Sequence, residues 1–307
     1  MMLLAALAFA FFPNSGSIAG GDTIQLTVQQ AIVGTPEVSF DGIPATRVTV
    51  VDAHTIATVT PPHSEAAVII RLRMNGESAD SFAYFGYIRE REELLIPIAT
   101  ETAGGYGTRW TTDIAVYNDS DESVSLTPNY TSSLGAFFPG TSDLVVPAHG
   151  VFKVPLRGTP EMYLVPPIDV RDKLHFNVRV RNAADPNDLG TEIPITENFR
   201  NERVVLPDVP VNSLFRSALR AYSIGSGESI VVRVFDEATG TLLLERESGP
   251  HFFPTDSATR FSYPFFDILN VAADRVRIEV EQKQGHVWAM LTLTDNATQR
   301  ITVITSQ

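Results

Sequence analysis

The chain is predicted to be all-β and to consist of several β-sandwiches. Short apolar runs alternate with polar residues at a period of two, and turn residues separate them every 8 to 12 residues or so. Charged residues make up only 19% of the 307 residues, and Lys is scarce beside Val, Thr and Ile, which favours half-buried strands over solvated helices. The length suits two or three domains of about 100 residues, each burying its own core.

The first residues, 1–11, are predicted to be a signal peptide. The run from Met1 to Phe12 is apolar and uncharged, and Ala8-Phe9-Ala10 has the A-x-A pattern that signal peptidase cuts after. The run is too short for a spanning helix, which needs about 20 residues. No Lys or Arg precedes it, so either the true start lies upstream or the chain is a fragment. The alternative is an ordinary first strand.

A first sandwich is predicted from residue 12 to residue 88. A turn at Gly20-Gly21 leads into strict alternation at Ile24, Leu26 and Val28, the pattern of a strand with one buried face. Further short strands, separated by turn signals, are predicted at Glu37 to Phe40, Ala45 to Val51, Ile56 to Thr60, Ala67 to Met74 and Ser81 to Tyr87.

Several short motifs in this segment occur in a fixed order: Pro13-x-x-Gly16, Gly20-Gly21-Asp22-Thr23, Val38-x-Phe40-Asp41-Gly42, Ala45, Ile56-x-x-x-Thr60-Pro61-Pro62 and Phe82-x-Tyr84. In these residues the segment resembles the IPT/TIG family. The resemblance implies an immunoglobulin-like sandwich over residues 12–88. It implies no activity, since such domains occur in receptors, transcription factors, carbohydrate-active enzymes and bacterial surface proteins, usually as spacers or interaction modules.

Beyond a charged joint at Arg89 to Glu93, the chain contains an internal repeat. Seven blocks recur in one order: Leu95–Pro97 with Val205–Pro207, Trp110–Tyr117 with Phe215–Tyr222, Glu122–Val124 with Glu228–Ile230, Val145–Pro147 with Phe252–Pro254, Phe152–Leu156 with Phe261–Phe265, Leu174–Val178 with Val276–Val280, and Ile193–Asn198 with Leu291–Asn296. We therefore predict two homologous β-sandwiches at 94–200 and 203–307. They loosely resemble uncharacterised repeated sandwich modules of exported bacterial proteins.

The repeat also decides between a helix and a strand at Phe215 to Tyr222. Taken alone, the apolar residues there fit one face of a helix. Their counterparts from Trp110 to Tyr117 alternate as a strand, so a strand is predicted.

Charge and cysteine content exclude several function classes. A formal net charge of −13 disfavours nucleic acid, whose binding requires clustered Lys and Arg. The absence of Cys excludes disulfides, thiolate zinc sites and cysteine nucleophiles.

No catalytic residue, metal ligand or cofactor is predicted. The segment Gly225-Ser226-Gly227-Glu228-Ser229 lacks the G-x-S-x-G spacing of a hydrolase nucleophile and is predicted to be a hairpin turn. Dinucleotide and phosphate-loop motifs are absent. The histidines occur singly, without the paired spacing that a metal site needs: His54, His63, His149, His175, His251 and His286. His175 is expected to face away from its apolar neighbours.

Acidic clusters at Asn118 to Glu122 and Asp185 to Asp188 offer oxygens of the kind that bind calcium, but ordinary turns explain them better. An aromatic platform for carbohydrate is the other candidate. Its candidate residues are Trp110, Trp288, Tyr106 and Phe137-Phe138. Both tryptophans are predicted to be core residues, which leaves Phe137-Phe138-Pro139 as the best exposed patch.

The resulting hypothesis is a non-catalytic structural or binding protein, secreted or at a bacterial cell surface, whose loops face an extracellular glycan or protein. No binding residue is assigned, and no membrane span is expected in the mature chain. The alternative is an accessory module or diverged enzyme acting on extracellular polysaccharide. Calcium-stabilised adhesion is a third possibility.

Overall fold

The structure is a computed structural model that describes residues 7–74, 76–131, 137–139, 142–156, 161–196, 202–225, 229–247, 259–266, 270–282 and 285–305. The chain divides into two compact units, Met1–Glu90 and Arg91–Gln307, which we call the N-terminal and C-terminal units. The division falls within the predicted charged joint. Nearly all of the described elements are strands, which confirms the all-β prediction.

The described residues of the N-terminal unit form eleven strands: β1 (Phe9–Phe12), β2 (Ser15–Ser17), β3 (Thr23–Val28), β4 (Glu37–Phe40), β5 (Ile43–Pro44), β6 (Arg47–Val50), β7 (Thr55–Val59), β8 (Ala66–Val68), β9 (Ile70–Met74), β10 (Glu77–Asp80) and β11 (Phe85–Ile88). They form three sheets, with strand orders β1-β3-β7-β6, β10-β9-β4-β5 and β2-β11-β8.

The core of this unit follows from the alternation in its strands. In β3 the side chains of Ile24, Leu26 and Val28 are buried while the residues between them are exposed, as predicted. Phe85 packs edge-to-face against Phe40 and Tyr87, with ring centroids 5.5 Å and 5.1 Å apart.

A glycine in the first turn explains two of the sequence motifs together. Gly20 has a φ of 70°, which glycine adopts without steric cost. A Cβ atom at this position would lie 2.6 Å from the carbonyl carbon of Pro61 and from the nitrogen of Pro62. The Gly-Gly turn and the Thr-Pro-Pro bend are therefore in direct backbone contact, and any side chain at Gly20 would separate them.

The described end of the predicted signal-peptide segment, from Leu7 onward, lies in this same sandwich. Strand β1 pairs antiparallel with β3, from Phe9 opposite Val28 to Phe12 opposite Gln25. Leu7 and Phe9 are 8% and 7% exposed and belong to the core. Cleavage after Ala10 would remove both core side chains and half of the strand. Residues 9–12 thus form a strand, as in the alternative prediction. The signal peptide at 1–11 stays a prediction.

The C-terminal unit begins with strands β12 (Leu94–Ile96), β13 (Glu101–Ala103), β14 (Arg109–Asn118), β15 (Val124–Thr131), β16 (Phe137–Pro139), β17 (Leu144–Val146), β18 (Val151–Lys153), β19 (Met162–Val165), β20 (Leu174–Asn182) and β21 (Thr191–Glu192). Short 3-10 turns lie at Gly105–Gly107 and Ile168–Lys173. We call this part the first half. The second half contains β22 (Arg203–Pro210), β23 (Phe215–Gly225), β24 (Ile230–Asp236), β25 (Leu242–Glu247), β26 (Thr259–Phe266), β27 (Arg275–Gln282), β28 (Gly285–Asp295) and β29 (Ile301–Thr305).

The two halves have matching sheet orders. In the first half the sheets run β12-β19-β15-β16 and β13-β14-β20-β21, with β17 beside β15 and β18 beside β14. In the second half they run β22-β27-β24-β25 and β26-β23-β28-β29. The strand predicted at Phe215 to Tyr222 is β23. This matching order supports our proposal that 94–200 and 203–307 are homologous sandwiches.

The strand pairing corrects two of the seven aligned blocks. Leu174–Val178 lies in β20, which pairs with β14, whereas its assigned counterpart lies in β27, which pairs with β22 and β24. By topology β20 corresponds to β28 and β19 to β27. The block at Leu291–Asn296 lies largely in β28 and so has its counterpart in β20, not at Ile193–Asn198. Consecutive strands with the same apolar alternation look alike in sequence, which explains the slip by one strand.

The core of the first half also includes side chains from the second half. Strands β23 and β28 bury side chains on both faces: Leu219 and Leu291 pack in the second-half core, while Tyr222, Trp288 and Met290 complete the first-half core. The second-half core consists of second-half residues alone, whereas the first-half core includes three buried residues of the second half. In the described chain, no helix is long and apolar enough to cross a membrane.

Candidate functional site

A pocket of about 560 Å³ opens where the ends of strands β14, β23 and β28 approach one another in the C-terminal unit. A volume of this size suits a small-molecule or oligomeric ligand. Thirteen residues line it: Gly105, Trp110, Pro210, Val211, Asn212, Phe215, Arg216, Ser217, Ala218, Asn270, Thr292, Leu293 and Thr294. We call it the Trp110 pocket.

Trp110 reaches the pocket because of its place in β14. Side chains alternate along a strand, so Trp110 is on the same face as the buried Thr112, Ile114 and Val116. It is the first residue of that face in the strand, at the edge of the core, and it is only partly buried. The indole therefore packs partly against the core, as predicted, and it also lines the pocket.

Gly104 allows the indole to lie against the backbone. A Cβ atom at this position would lie 2.6 Å from Cδ1 of Trp110 and closer still to its Nε1 and to Oγ1 of Thr108. Such distances are far below van der Waals contact, so any side chain at Gly104 would move the ring. The backbone here thus forms a wall that sets the position of Trp110.

Arg216 supplies the positive charge of the pocket. Its guanidinium donates hydrogen bonds to Oδ1 of Asn296 at 2.6 Å and to Oε1 of Gln299 at 2.8 Å. It also lies 4.8 Å from the ring centroid of Tyr106, in cation–π geometry. The two amide oxygens and the aromatic ring hold the guanidinium in place without neutralising it.

The remaining polar lining consists of hydroxyl and amide groups. Ser217, Thr292 and Thr294 contribute hydroxyls, and Asn212 and Asn270 contribute amides. The Thr292 hydroxyl donates to the carbonyl of Ala218 at 3.2 Å. The thirteen described lining residues include no carboxylate and no imidazole. The lining can therefore donate and accept hydrogen bonds, but it contains no acid–base pair.

The family match concerns the N-terminal unit, whereas the Trp110 pocket lies in the C-terminal unit. The order of the sequence motifs in the N-terminal unit is the basis for the family resemblance. Residues 10–85 match the IPT/TIG domain family. This confirms the predicted resemblance over a quarter of the chain. A search of curated proteins finds no match.

Solved structures with similar folds are distant. The extracellular region of plexin A4 is 12% identical with a TM-score of 0.26, covering 94% of this chain; the chain spans only 21% of that plexin. An auxiliary nutrient binding protein from Bacteroides ovatus is 11% identical with a TM-score of 0.23, covering 99% of this chain and 98% of its own.

A third is SGBP-B from the mixed-linkage glucan utilization locus of Bacteroides ovatus, in complex with a mixed-linkage heptasaccharide. It is 14% identical with a TM-score of 0.21, covering 88% of this chain and 76% of its own. At these values no ligand or activity is assigned to this chain from any of the three.

The other aromatic candidates are not brought together with Trp110, apart from Tyr106. Tyr106 is 75% exposed and stacks on Arg216 beside the pocket. Trp288 is 7% exposed and belongs to the core, as predicted. The side chains of Phe137 and Phe138 lie outside the described residues.

The histidines occupy separate places. In the IPT/TIG domain, Nδ1 of His54 lies 3.2 Å from the carbonyl oxygen of Val28, and His63 stacks on Tyr87 at 4.7 Å. In the C-terminal unit, His149 bonds Asp121, while His175 is exposed beside Tyr117 as expected, and His286 is exposed. His251 lies outside the described residues. No group of three or more His, Asp or Glu in the described chain could hold a metal ion.

The two acidic clusters use their oxygens in turns. Asn118 is buried, and its Oδ1 accepts hydrogen bonds from both the backbone N–H and the hydroxyl of Ser120, at 3.0 Å and 2.6 Å. Asp188 accepts from the backbone N–H groups of Asn182 and Gly190. This is ordinary turn chemistry. The hairpin turn predicted at Gly225 to Ser229 lies mostly outside the described residues.

Proposed function

We propose that this protein is a non-catalytic binding protein of the cell exterior, and that its C-terminal unit binds a carbohydrate in the Trp110 pocket. In this proposal the IPT/TIG domain is a spacer or mounting module. The ligand-binding role falls to the duplicated part of the chain.

The observation that carries the proposal is the composition of the pocket wall. A partly exposed indole and the ring of Phe215 stand beside five hydroxyl and amide side chains. A sugar ring has apolar C–H faces and a rim of hydroxyl groups. An aromatic face with neighbouring hydrogen-bonding groups complements both properties at once.

The chemistry of the lining supports binding rather than hydrolysis. Glycoside hydrolysis uses two carboxyl groups about 5 to 10 Å apart across the scissile bond. The described lining residues offer no carboxylate, so neither the acid nor the base is supplied from within the pocket. The alternative, a diverged enzyme acting on polysaccharide, would need both groups from elsewhere in the chain.

The proposal is tested by screening the purified chain against a broad glycan array and measuring the affinity of each hit by calorimetry. We expect Trp110→Ala to weaken binding about 10- to 30-fold, because truncating a central aromatic anchor typically costs about 2 kcal/mol. Tyr84→Ala is the matched control, since Tyr84 is 64% exposed and lies in the other unit.

Two results would overturn the proposal. One is the absence of binding to any saccharide on the array. The other is release of reducing sugar from a bound glycan by the purified chain, which would favour the enzyme alternative.

A further inference from the structure

We propose that the ligand of the Trp110 pocket is an acidic saccharide, and that Arg216 binds the carboxylate of a uronic acid residue in it. This inference rests on the proposed function and narrows it to one class of carbohydrate.

Arg216 differs from many other arginines of the described chain in the groups that it bonds. Carboxylates are abundant in a protein with a net charge of −13, and many arginines in the described part bond to one. Such ion pairs are made by Arg71, Arg73, Arg109, Arg181, Arg203, Arg233, Arg275 and Arg277. Arg216 instead bonds two neutral amide oxygens.

The Arg216 guanidinium keeps N–H donors that its two amide partners do not use. A guanidinium carries five N–H donors in a planar fork. The two bonds to Asn296 and Gln299 use one on each terminal nitrogen. Arg216 lines a pocket whose described lining contains no carboxylate, and its two amide partners leave the other donors unused. The cation is therefore fixed in position and still able to bind an anion.

Binding of a carboxylate to Arg216 is favoured by charge, by geometry and by the order that the side chain already has. Arg216 is partly buried, so its charge has lost part of its hydration without gaining a counter-ion from the lining. A carboxylate matches the guanidinium fork and can accept two parallel hydrogen bonds from it. Because the amides and the Tyr106 ring already hold the side chain, little further ordering is needed on binding.

The pocket combines the charge of Arg216 with the aromatic ring of Trp110. Arg216 and Trp110 line the same pocket, together with the hydroxyl and amide groups. A uronic acid combines an apolar ring face, hydroxyl groups and one planar carboxylate. It therefore complements all three kinds of group in the lining, whereas a neutral sugar leaves the guanidinium without a partner.

The test compares ligands that differ only in charge. The full chain is titrated with short oligomers of galacturonic, glucuronic or mannuronic acid, and with the same oligomers after complete methyl esterification. At least one acidic oligomer is expected to bind 10-fold or more tightly than its ester at low salt, a difference of about 1.4 kcal/mol. The preference is expected to shrink as ionic strength rises.

Two variants locate the effect. Arg216→Gln is expected to remove the preference for the acid while leaving the weaker binding of the ester. Arg109→Gln is the matched control, because it removes the same charge next to Trp110 from a residue already paired with Glu101 at 2.9 Å. It is expected to keep the preference. Thermal unfolding of both variants checks that they fold, and the acid–ester comparison on the unchanged chain stands if either does not.

The outcomes separate this inference from the proposed function. If neutral saccharides or the esters bind as tightly as the acids, the acidic ligand is ruled out while carbohydrate binding stands. If sulfated oligosaccharides bind more tightly than uronic acids, the carboxylate is the wrong anion. If no saccharide binds, both proposals fail.

Discussion

Single residues in the C-terminal unit set the geometry of the pocket, and Gly104 is the clearest case. The Trp110 indole occupies the space that a Cβ atom at Gly104 would need. Its neighbour Gly105 has open space around the position of a Cβ atom and no positive φ. Two adjacent glycines therefore differ in what they require, and only one of them has a structural reason to remain glycine.

Gly104→Ala is expected to displace the Trp110 indole and to destabilise the C-terminal unit by about 1 to 3 kcal/mol, the usual cost of overpacking. Gly105→Ala is expected to stay within about 0.5 kcal/mol of the unchanged chain. Urea unfolding followed by tryptophan fluorescence measures both, since the chain has two tryptophans and both lie in the C-terminal unit. Equal stabilities of the two variants would contradict this account.

At the scale of elements, β1 is where the interpretation of the sequence changed most. An apolar, uncharged run is what a signal peptide requires, and it is also what a strand with one core face can be. The A-x-A pattern does not distinguish the two. Pairing with β3 and the burial of Leu7 and Phe9 show the strand, and both depend on a partner strand more than ten residues away in the chain.

If β1 is part of the sandwich, Phe9→Ala is expected to destabilise the N-terminal unit by about 3 to 5 kcal/mol, as for other large-to-small core changes. Ala10→Ser, at the exposed neighbouring position, is expected to change it by no more than about 0.5 kcal/mol. Hydrogen exchange at the amides of β3 provides the measurement. Unchanged protection in Phe9→Ala would show that β1 does not contribute.

At the scale of the whole molecule, the C-terminal unit is one compact unit, and side chains of its second half complete the core of its first half. Tyr222 is fully buried in the first-half core, although it belongs to the second half, and its hydroxyl donates to the carbonyl of Pro97 at 2.7 Å. Burial raises the pKa of Tyr222 well above its ordinary value of 10.0, and the nearby charge of Glu161 raises it further.

This raised pKa predicts that the C-terminal unit loses stability in alkali. Below about pH 10 the tyrosine is neutral in both the folded and the unfolded chain, so its contribution is fully present. Above that pH the unfolded chain releases the proton and the folded chain does not. The free energy of unfolding therefore falls with pH, by up to about 1.4 kcal/mol per pH unit for this one group.

Urea unfolding of the unchanged chain and of Tyr222→Phe, at a series of alkaline pH values, tests this prediction. At neutral pH the variant is expected to be less stable by about 1 to 3 kcal/mol, because the buried carbonyl of Pro97 loses its donor. Its alkaline slope is expected to be shallower by the contribution of one tyrosine. A slope as steep as that of the unchanged chain would count against the argument.

The sequence was sufficient for properties that depend on neighbouring residues. The period-2 alternation of β3, the strand character of β23 and the IPT/TIG motifs are local patterns, and a strand exposes its two faces whatever its partners are. The fold class and the family of the first domain could therefore be predicted from the sequence. The homology of the two halves stays a proposal, which their matching sheet orders support.

The candidate site could not be predicted in this way. Trp110 was one of the predicted aromatic candidates, but Arg216 was not predicted. The sequence around each residue does not indicate that the two residues line the same pocket. Strands with similar alternation also allowed the alignment to slip at β27. Which strand ends meet depends on how two halves about a hundred residues apart pack against each other. That long-range packing brings an indole, a guanidinium and a set of hydroxyls into one pocket whose described lining contains no carboxylate.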